Sequence, residues 1–247
     1  MAGHSKWANI KHRKERQDAK RGKLFAKLIR AVEAAARHGG GDAAANATLA
    51  TAIQAAKDAS VPKDNIERAI ARGTGELDGV DYEEYWYEGY AAGGVALYVQ
   101  ILTDNRNRAA ADVRAAFTRY GGSLGEPGSV GYLFEQKGLI IASGDEDTVL
   151  MAALDGGAED VTDAGEGHWE IVCAPGDVAA VRSVLEEVGV GIEQADVTQL
   201  PSTTVPVEEG NARRVLRLVD ALEDLDDVQA VYANFDIADE VLAGSDY

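Results

Sequence analysis

Ten basic side chains crowd the first thirty residues of this chain, Lys6, Lys11, Arg13, Lys14, Arg16, Lys20, Arg21, Lys23, Lys27 and Arg30, against only Glu15 and Asp18. Cations at this density suit phosphate, and Trp7 and His12 among them suit a nucleic acid in particular, since an indole can stack on an unpaired base or lie along a sugar. The rest of the chain has the opposite sign. Residues 31–75 balance at five against five, whereas Glu76 to Tyr247 hold nine Lys/Arg against 35 Asp/Glu, and the whole chain carries −18. A solvated tail has little use for a Trp, and a basic stripe free of acids from Lys20 to Glu33 is improbable by chance in so acidic a chain.

A second cationic site lies in LTDNRNRAAADVR (102–114). Arg106 and Arg108 open a helix, where the macrodipole disfavours cations by some tenths of a kcal/mol, and such a cost is tolerated where backbone N–H groups and guanidinium forks must hold an anion together. The alternative is that these arginines pair with the acids of residues 76–88 while Asn105 or Asn107 caps the helix. Both readings stay open on the sequence.

No catalytic motif is present: there is no GxxxxGK[ST], no GxGxxG after a strand, no GxSxG and no HExxH, and the glycines of RGTG and GYAAGG read as turns. No catalytic residue, cofactor, small-molecule substrate or metal site is therefore expected. Cys173 stands alone in the apolar run HWEIVCAP and reads as a core residue, and the four His show no metal-ligand spacing. No apolar run approaches the roughly 18 residues of a membrane span and none follows the basic start as in a signal peptide, so a cytoplasmic protein with no membrane partner is expected, rather than one with a transit peptide.

The elements that must position these residues follow from periodicity. Residues 18–74 read as three helices. In the first, Leu24, Phe25, Leu28, Ile29, Val32 and Ala36 share one arc and Lys20, Lys23, Lys27 and Arg30 the opposite one. The second spans about 46–59, and the third opens at SVPKDN and ends at Gly73. The acidic aromatic stretch YEEYWYEGYAAGG (82–94) leads into a strand at 95–103 and a helix at 106–120 with Val113 and Phe117 inward. Between 129 and 200 the order is βαββαβ, that of a ferredoxin-like unit, with Val178, Val181, Leu185 and Val188 marking the inner face of its second helix. A helix (208–225) and a strand (228–237) follow. A lone αβ pair cannot bury its apolar face, so this pair is expected to join the 95–120 βα unit around an inserted domain.

MAGHSKWANIKHRK, RGKLFAKLIR, VPKDNIERAI, YEGY, GGVA, LTDNRNR, GGSLGEPGSV and LFEQKG, in this order, resemble the YebC/PmpR family, motif by motif over residues 1–138 and by element order beyond. Its bacterial members are usually labelled probable transcriptional regulators, and its mitochondrial relative is a translational activator of cytochrome c oxidase subunit I. The resemblance implies a non-enzymatic protein of three domains around a cleft, with nucleic acid as partner: promoter DNA in one reading, ribosomal RNA at the peptidyl-transferase region of the ribosome in the other. It maps the first motif onto His4, Ser5, Lys6, Trp7, Asn9, Lys11, His12, Arg13 and Lys14, and the central one onto Asp104, Asn105, Arg106, Asn107 and Arg108. GGGDAAANATL (39–49) and GYAAGG (89–94) lack the prolines usual in the family, which implies looser loops. Together these readings give an α+β fold: a helical bundle with a basic arm (1–78), a discontinuous α+β domain (79–128 plus 205–240) and an inserted ferredoxin-like domain (129–204), both sheet domains ferredoxin-like and the protein expected to be a monomer.

Overall fold

The amphipathic periods of the N-terminal third produce three helices in the computed structural model, which describes residues 21–237. They are α1 (Arg21–Gly39), α2 (Ala47–Asp58) and α3 (Lys63–Thr74). Val32, Ala36, Leu49, Ala56, Ile66 and Ala69 form their shared core, with Phe25, Leu28 and Ile29 packed against it. The loop between α1 and α2 is not loose despite its glycines. Buried Asn46 caps α2 by accepting the Leu49 N–H at 3.1 Å, and its Nδ2 donates to the carbonyls of Ala35 and Gly40, each at 2.9 Å. Gly73, expected to end the third helix, instead lies inside α3 where it crosses α1: a Cβ there would fall 2.4 Å from the Glu33 carbonyl oxygen and 2.6 Å from Ala36 Cβ. The helix stops two residues later at Gly75, whose φ of 84° is the left-handed conformation that glycine adopts without strain.

Beyond the bundle come β1 (Glu83–Tyr90), β2 (Ala96–Thr103), α4 (Arg106–Arg119), β3 (Ser123–Leu124), β4 (Phe134–Ser143), α5 (Glu146–Asp155), β5 (Ala158–Gly165), β6 (His168–Cys173), α6 (Val178–Glu187), β7 (Gly191–Pro201), β8 (Val205–Pro206), α7 (Glu209–Glu223), β9 (Val228–Ala233) and β10 (Phe235–Asp236). One four-stranded sheet has the order β3-β1-β2-β9, with antiparallel neighbours. α4 and α7 close one face of it, burying Leu97, Val99, Ile101, Val113, Phe117, Val215, Leu218 and Leu222. The other has the order β5-β6-β4-β7, the ferredoxin-like arrangement, with α5 and α6 over Ile140, Ile171, Val181 and Leu185. Cys173 sits in this second core, and burial pushes its thiol up to about 11, where it is a small apolar side chain rather than a nucleophile. Val188 departs from expectation: it caps the end of α6 and is exposed, while Val190 in the following turn is buried.

The described chain divides into two compact units, one of residues 132–206 with 236–237, the other of residues 21–131 with 207–235. The second therefore holds both the helical bundle and the β3-β1-β2-β9 sheet. Within it, the glycine-rich segment after β3 is held by one carboxylate. Buried Glu88 on β1 accepts the backbone N–H of Gly128 at 2.7 Å through Oε1, and those of Val130 and Gly131 at 2.6 and 2.7 Å through Oε2. Burial alone would raise its pKa, but the three donors outweigh that and hold it below its ordinary value. A depressed folded-state pKa stabilises the fold above the unfolded-state value, and that contribution is lost as pH falls through the folded-state value. Replacing Glu88 with Gln is thus expected to lower stability near neutral pH by about 2 kcal/mol. Thermal denaturation across pH should also show a shallower loss of stability below about pH 4 in the variant than in the parent.

Candidate nucleic-acid interface

Of the cations expected to meet phosphate, His4, Lys6, Lys11, His12, Arg13, Lys14, Arg16 and Lys20, together with Trp7, lie outside the described residues, and Arg21 opens α1. The remaining three of the N-terminal group are brought together, but toward another helix. Lys23 Nζ donates to the Asp224 carbonyl at 3.0 Å, Lys27 Nζ donates to the Glu223 carbonyl at 2.6 Å, and Arg30 donates to the Asp226 carbonyl. These oxygens belong to the C-terminal end of α7 and the turn after it, where the last carbonyls of a helix lack intrahelical partners and the macrodipole is negative. Lys23 also lies 3.8 Å from the Asp224 carboxylate, and the Arg30 guanidinium stands 5.4 Å from the centre of the Tyr82 ring. The apolar face of α1 thus packs the bundle while its cationic face clasps the sheet domain.

At the start of α4 the two readings of Arg106 and Arg108 resolve differently for each residue. Asn105 caps the helix, its Oδ1 accepting the Arg108 N–H at 3.1 Å. The Arg108 guanidinium takes Asp227 in a two-pronged grip, Nε to Oδ2 at 3.0 Å and a terminal nitrogen to Oδ1 at 2.9 Å, and also reaches Asp104 at 2.7 Å. Asp227 is nearly buried, and its backbone carbonyl accepts the Leu102 N–H at 2.9 Å, so this pair ties α4 to the strand that follows α7. These hydrogen bonds, with the Asp227 bond strongest, hold the guanidinium protonated and the Asp104 carboxyl below its usual range. Arg108 does pair with acids, but with Asp104 and Asp227 rather than those of residues 76–88. Arg106 does not: its guanidinium lies over the Tyr85 ring, 4.7 Å from the centroid, and the residue is exposed.

A further set of cations lies on the helices of the sheet domain. Every basic residue of 79–131 and 205–237 is arginine, and all seven sit on α4 and α7. Arg213 faces Glu209 at 3.4 Å, whereas Arg114 and Arg214 are exposed, their guanidinium groups with no ion pair or hydrogen bond among the described residues. The signal was available in the run ARRVLR, but the acids around it hid the cluster in any count of net charge.

Two family models match the chain, one described as the TACO1/YebC protein N-terminal domain over residues 5–76, the other as the TACO1/YebC second and third domain over residues 82–235. The chain belongs to the TACO1/YebC family. It is 59% identical to a protein of Thermobifida fusca and 57% identical to one of Salinispora arenicola, each match covering 98% of this chain and 99% of the relative, and both relatives are named "Probable transcriptional regulatory protein". Among solved structures it is similar to a conserved hypothetical protein from Aquifex aeolicus, with a TM-score of 0.80, 49% sequence identity, and coverage of 90% of this chain and 92% of that one. Among the described residues, no helix is long and apolar enough to cross a membrane.

The clasp between α1 and α7 makes a checkable claim. The triple variant Lys23→Ala/Lys27→Ala/Arg30→Ala should lower the melting temperature by roughly 5 °C. It should also raise amide hydrogen exchange in α1 more than in β2, because the bundle loses its hold on the sheet domain while both cores stay intact.

Proposed function

We propose that this protein is a non-enzymatic, nucleic-acid-binding regulator of gene expression. The observation that carries the reading is the segregation of charge: ten of the 24 basic residues lie in the first thirty positions of a chain of net charge −18. A locally cationic segment on an acidic body gathers phosphate at one place and repels it elsewhere, which orients a polyanion as well as binding it. Lys6, Lys11, Arg13, Lys14, Arg16, Lys20 and Arg21 are its contacts in this reading, with His4, Trp7 and His12 among them; Arg106, with Arg114 and Arg214, adds exposed guanidinium groups on the sheet domain. The names of the curated relatives support transcription as the process regulated, and promoter DNA is the target that this reading assigns.

A second reading, ribosomal RNA and control of translation, is favoured by the bundle itself. A reader of the major groove presents a helix with Arg, Asn or Gln aimed at base edges. Here α2 offers Thr51, Gln54 and Lys57 among alanines, Gln54 donates to Asp58 at 2.8 Å, and on α3 Lys63 pairs with Glu67 at 3.4 Å. On α1, Lys23, Lys27 and Arg30 are turned to the end of α7. Such a surface suits backbone contacts to a structured RNA better than base readout in a duplex.

Crosslinking the protein to nucleic acid in cells and sequencing what is recovered separates the two: promoter fragments support the first reading, ribosomal RNA the second. In vitro, reversing Lys11, Arg13 and Lys14 to Glu should weaken binding to either partner. It should also flatten the slope of log affinity against log salt by about 2 to 3, since each phosphate contact contributes roughly 0.7 to 0.9 to that slope. An unchanged slope would remove the basic segment from the interface.

A further inference from the structure

The inserted unit is strongly acidic. Residues 132–206 hold 15 Asp/Glu against two basic residues, Lys137 and Arg182, a net of −13. Both cations are already engaged by acids of the same unit: Lys137 lies 3.0 Å from Glu135 and 2.9 Å from Glu159, and Arg182 lies 2.8 Å from Glu186. Even His168 is hydrogen-bonded to Glu193 at 2.7 Å. This unit repels nucleic acid and anionic membrane alike.

On this acidic body, α5 is built with its large apolar side chains outward. The helix reads EDTVLMAALD, and the residues it buries are Val149, Ala152 and Ala153. Its larger ones are in solvent: Leu150 at 39% exposure, Met151 at 67% and Leu154 at 59%. At 100° per residue these three fall within one 100° sector, with Asp147 one turn before it and Asp155 at its end. A fourth exposed apolar side chain, Val188 at 50%, caps the neighbouring α6 beside Glu186 and Glu187. The two helices run antiparallel, since a Cβ on Gly156 would meet Val181 Cα at 2.9 Å and one on Gly144 would meet Val190 Cγ2 at 3.5 Å. Two Leu and a Met on the side of the helix away from its Val and Ala core leave apolar area in solvent that the fold itself does not cover. An apolar patch with a charged rim is the usual form of a protein-docking surface.

We propose that the outer face of α5 docks a basic amphipathic segment of a partner protein, its apolar side chains seated on Leu150, Met151 and Leu154 and its cations on the acidic rim. Charge decides among occupants. A second copy would bring −13 against −13, and a nucleic acid would bring phosphates to the same field, whereas a cationic helix gains from both the patch and its surroundings. This surface is inferred independently of the nucleic-acid reading.

The test uses the full-length protein and a labelled synthetic helical Lys/Leu peptide with one apolar face, alongside a scrambled peptide of identical composition, with binding read by fluorescence anisotropy. The patterned peptide should bind at least about tenfold more tightly than the scrambled one. Met151→Ser/Leu154→Ser, which alters only exposed side chains and leaves the net charge unchanged, should erase that preference, and Asp147→Asn/Asp155→Asn should reduce the salt dependence of binding. Equal affinity for both peptides, or no effect of Met151→Ser/Leu154→Ser, would show a surface that attracts any cation and overturn the proposal. Two further results would assign the face elsewhere and equally overturn it: a dimer in sedimentation equilibrium that the Met151→Ser/Leu154→Ser variant abolishes, or a zero-length crosslink joining Lys11 or Lys14 to Asp147 or Asp155, which would make the chain's own basic segment the occupant.

Discussion

The antiparallel pairing of β2 with β9 is the interaction on which the larger unit depends. Leu97 faces Ala233 and Val99 faces Val231, and at the end of the ladder the Ala96 N–H is taken by Asn234 Oδ1 at 2.7 Å across 138 residues of chain. That pairing brings α7 over the sheet, where Val215, Leu218 and Leu222 complete the core begun by Val113 and Phe117. With α7 in place, its C-terminal carbonyls become the acceptors for Lys23, Lys27 and Arg30, and Asp227 the partner of Arg108. Without β9 the sheet would lose a strand, α7 its floor, and the helical bundle its clasp.

A long insertion between β3 and α7 ought to make such a pairing entropically costly, but the inserted unit keeps its two ends side by side. β4 and β7 begin and finish together, with Phe134 opposite Pro201, and the Ser202 N–H donates to the Leu133 carbonyl at 2.8 Å. To the host sheet, the folded insertion is equivalent to a short connection, the condition under which domain insertion is tolerated. This also lets the insertion carry a charge balance of its own, because its core of Ile140, Ile171, Val181 and Leu185 is closed by its own strands and helices.

Charge in this molecule is sorted by segment and then partly satisfied inside the fold. On α1 the cations of one face serve the same end as the apolar residues of the other, holding an element in place, since a row of lysines at a helix C-terminus is both a cap and a complement to the dipole. The same logic governs Glu88, a buried carboxylate whose three backbone donors replace the hydration it gave up.

The local physics was readable in the residues themselves. Helical spacing placed α2, α4 and α7, and the end of α1, to within a residue or two, because each needs only its own apolar stripe and a cap such as Asn46 or Asn105. The βαββαβ order named the inserted fold because element order there dictates strand order. The strand β1 has no period of two to read because it bears aromatics on both faces, Tyr85 and Tyr87 toward the core and Trp86 stacked on Tyr98 at 4.2 Å. Gly73 looked like a helix stop because a glycine that ends a helix and one that lets another helix approach are the same residue. What tertiary structure alone decided is the use of each charge. The sequence determines that Lys23 is a cation on the polar side of a helix, but its acceptor lies 201 residues away on α7, and no local pattern can report a partner that only the closing of the sheet brings near.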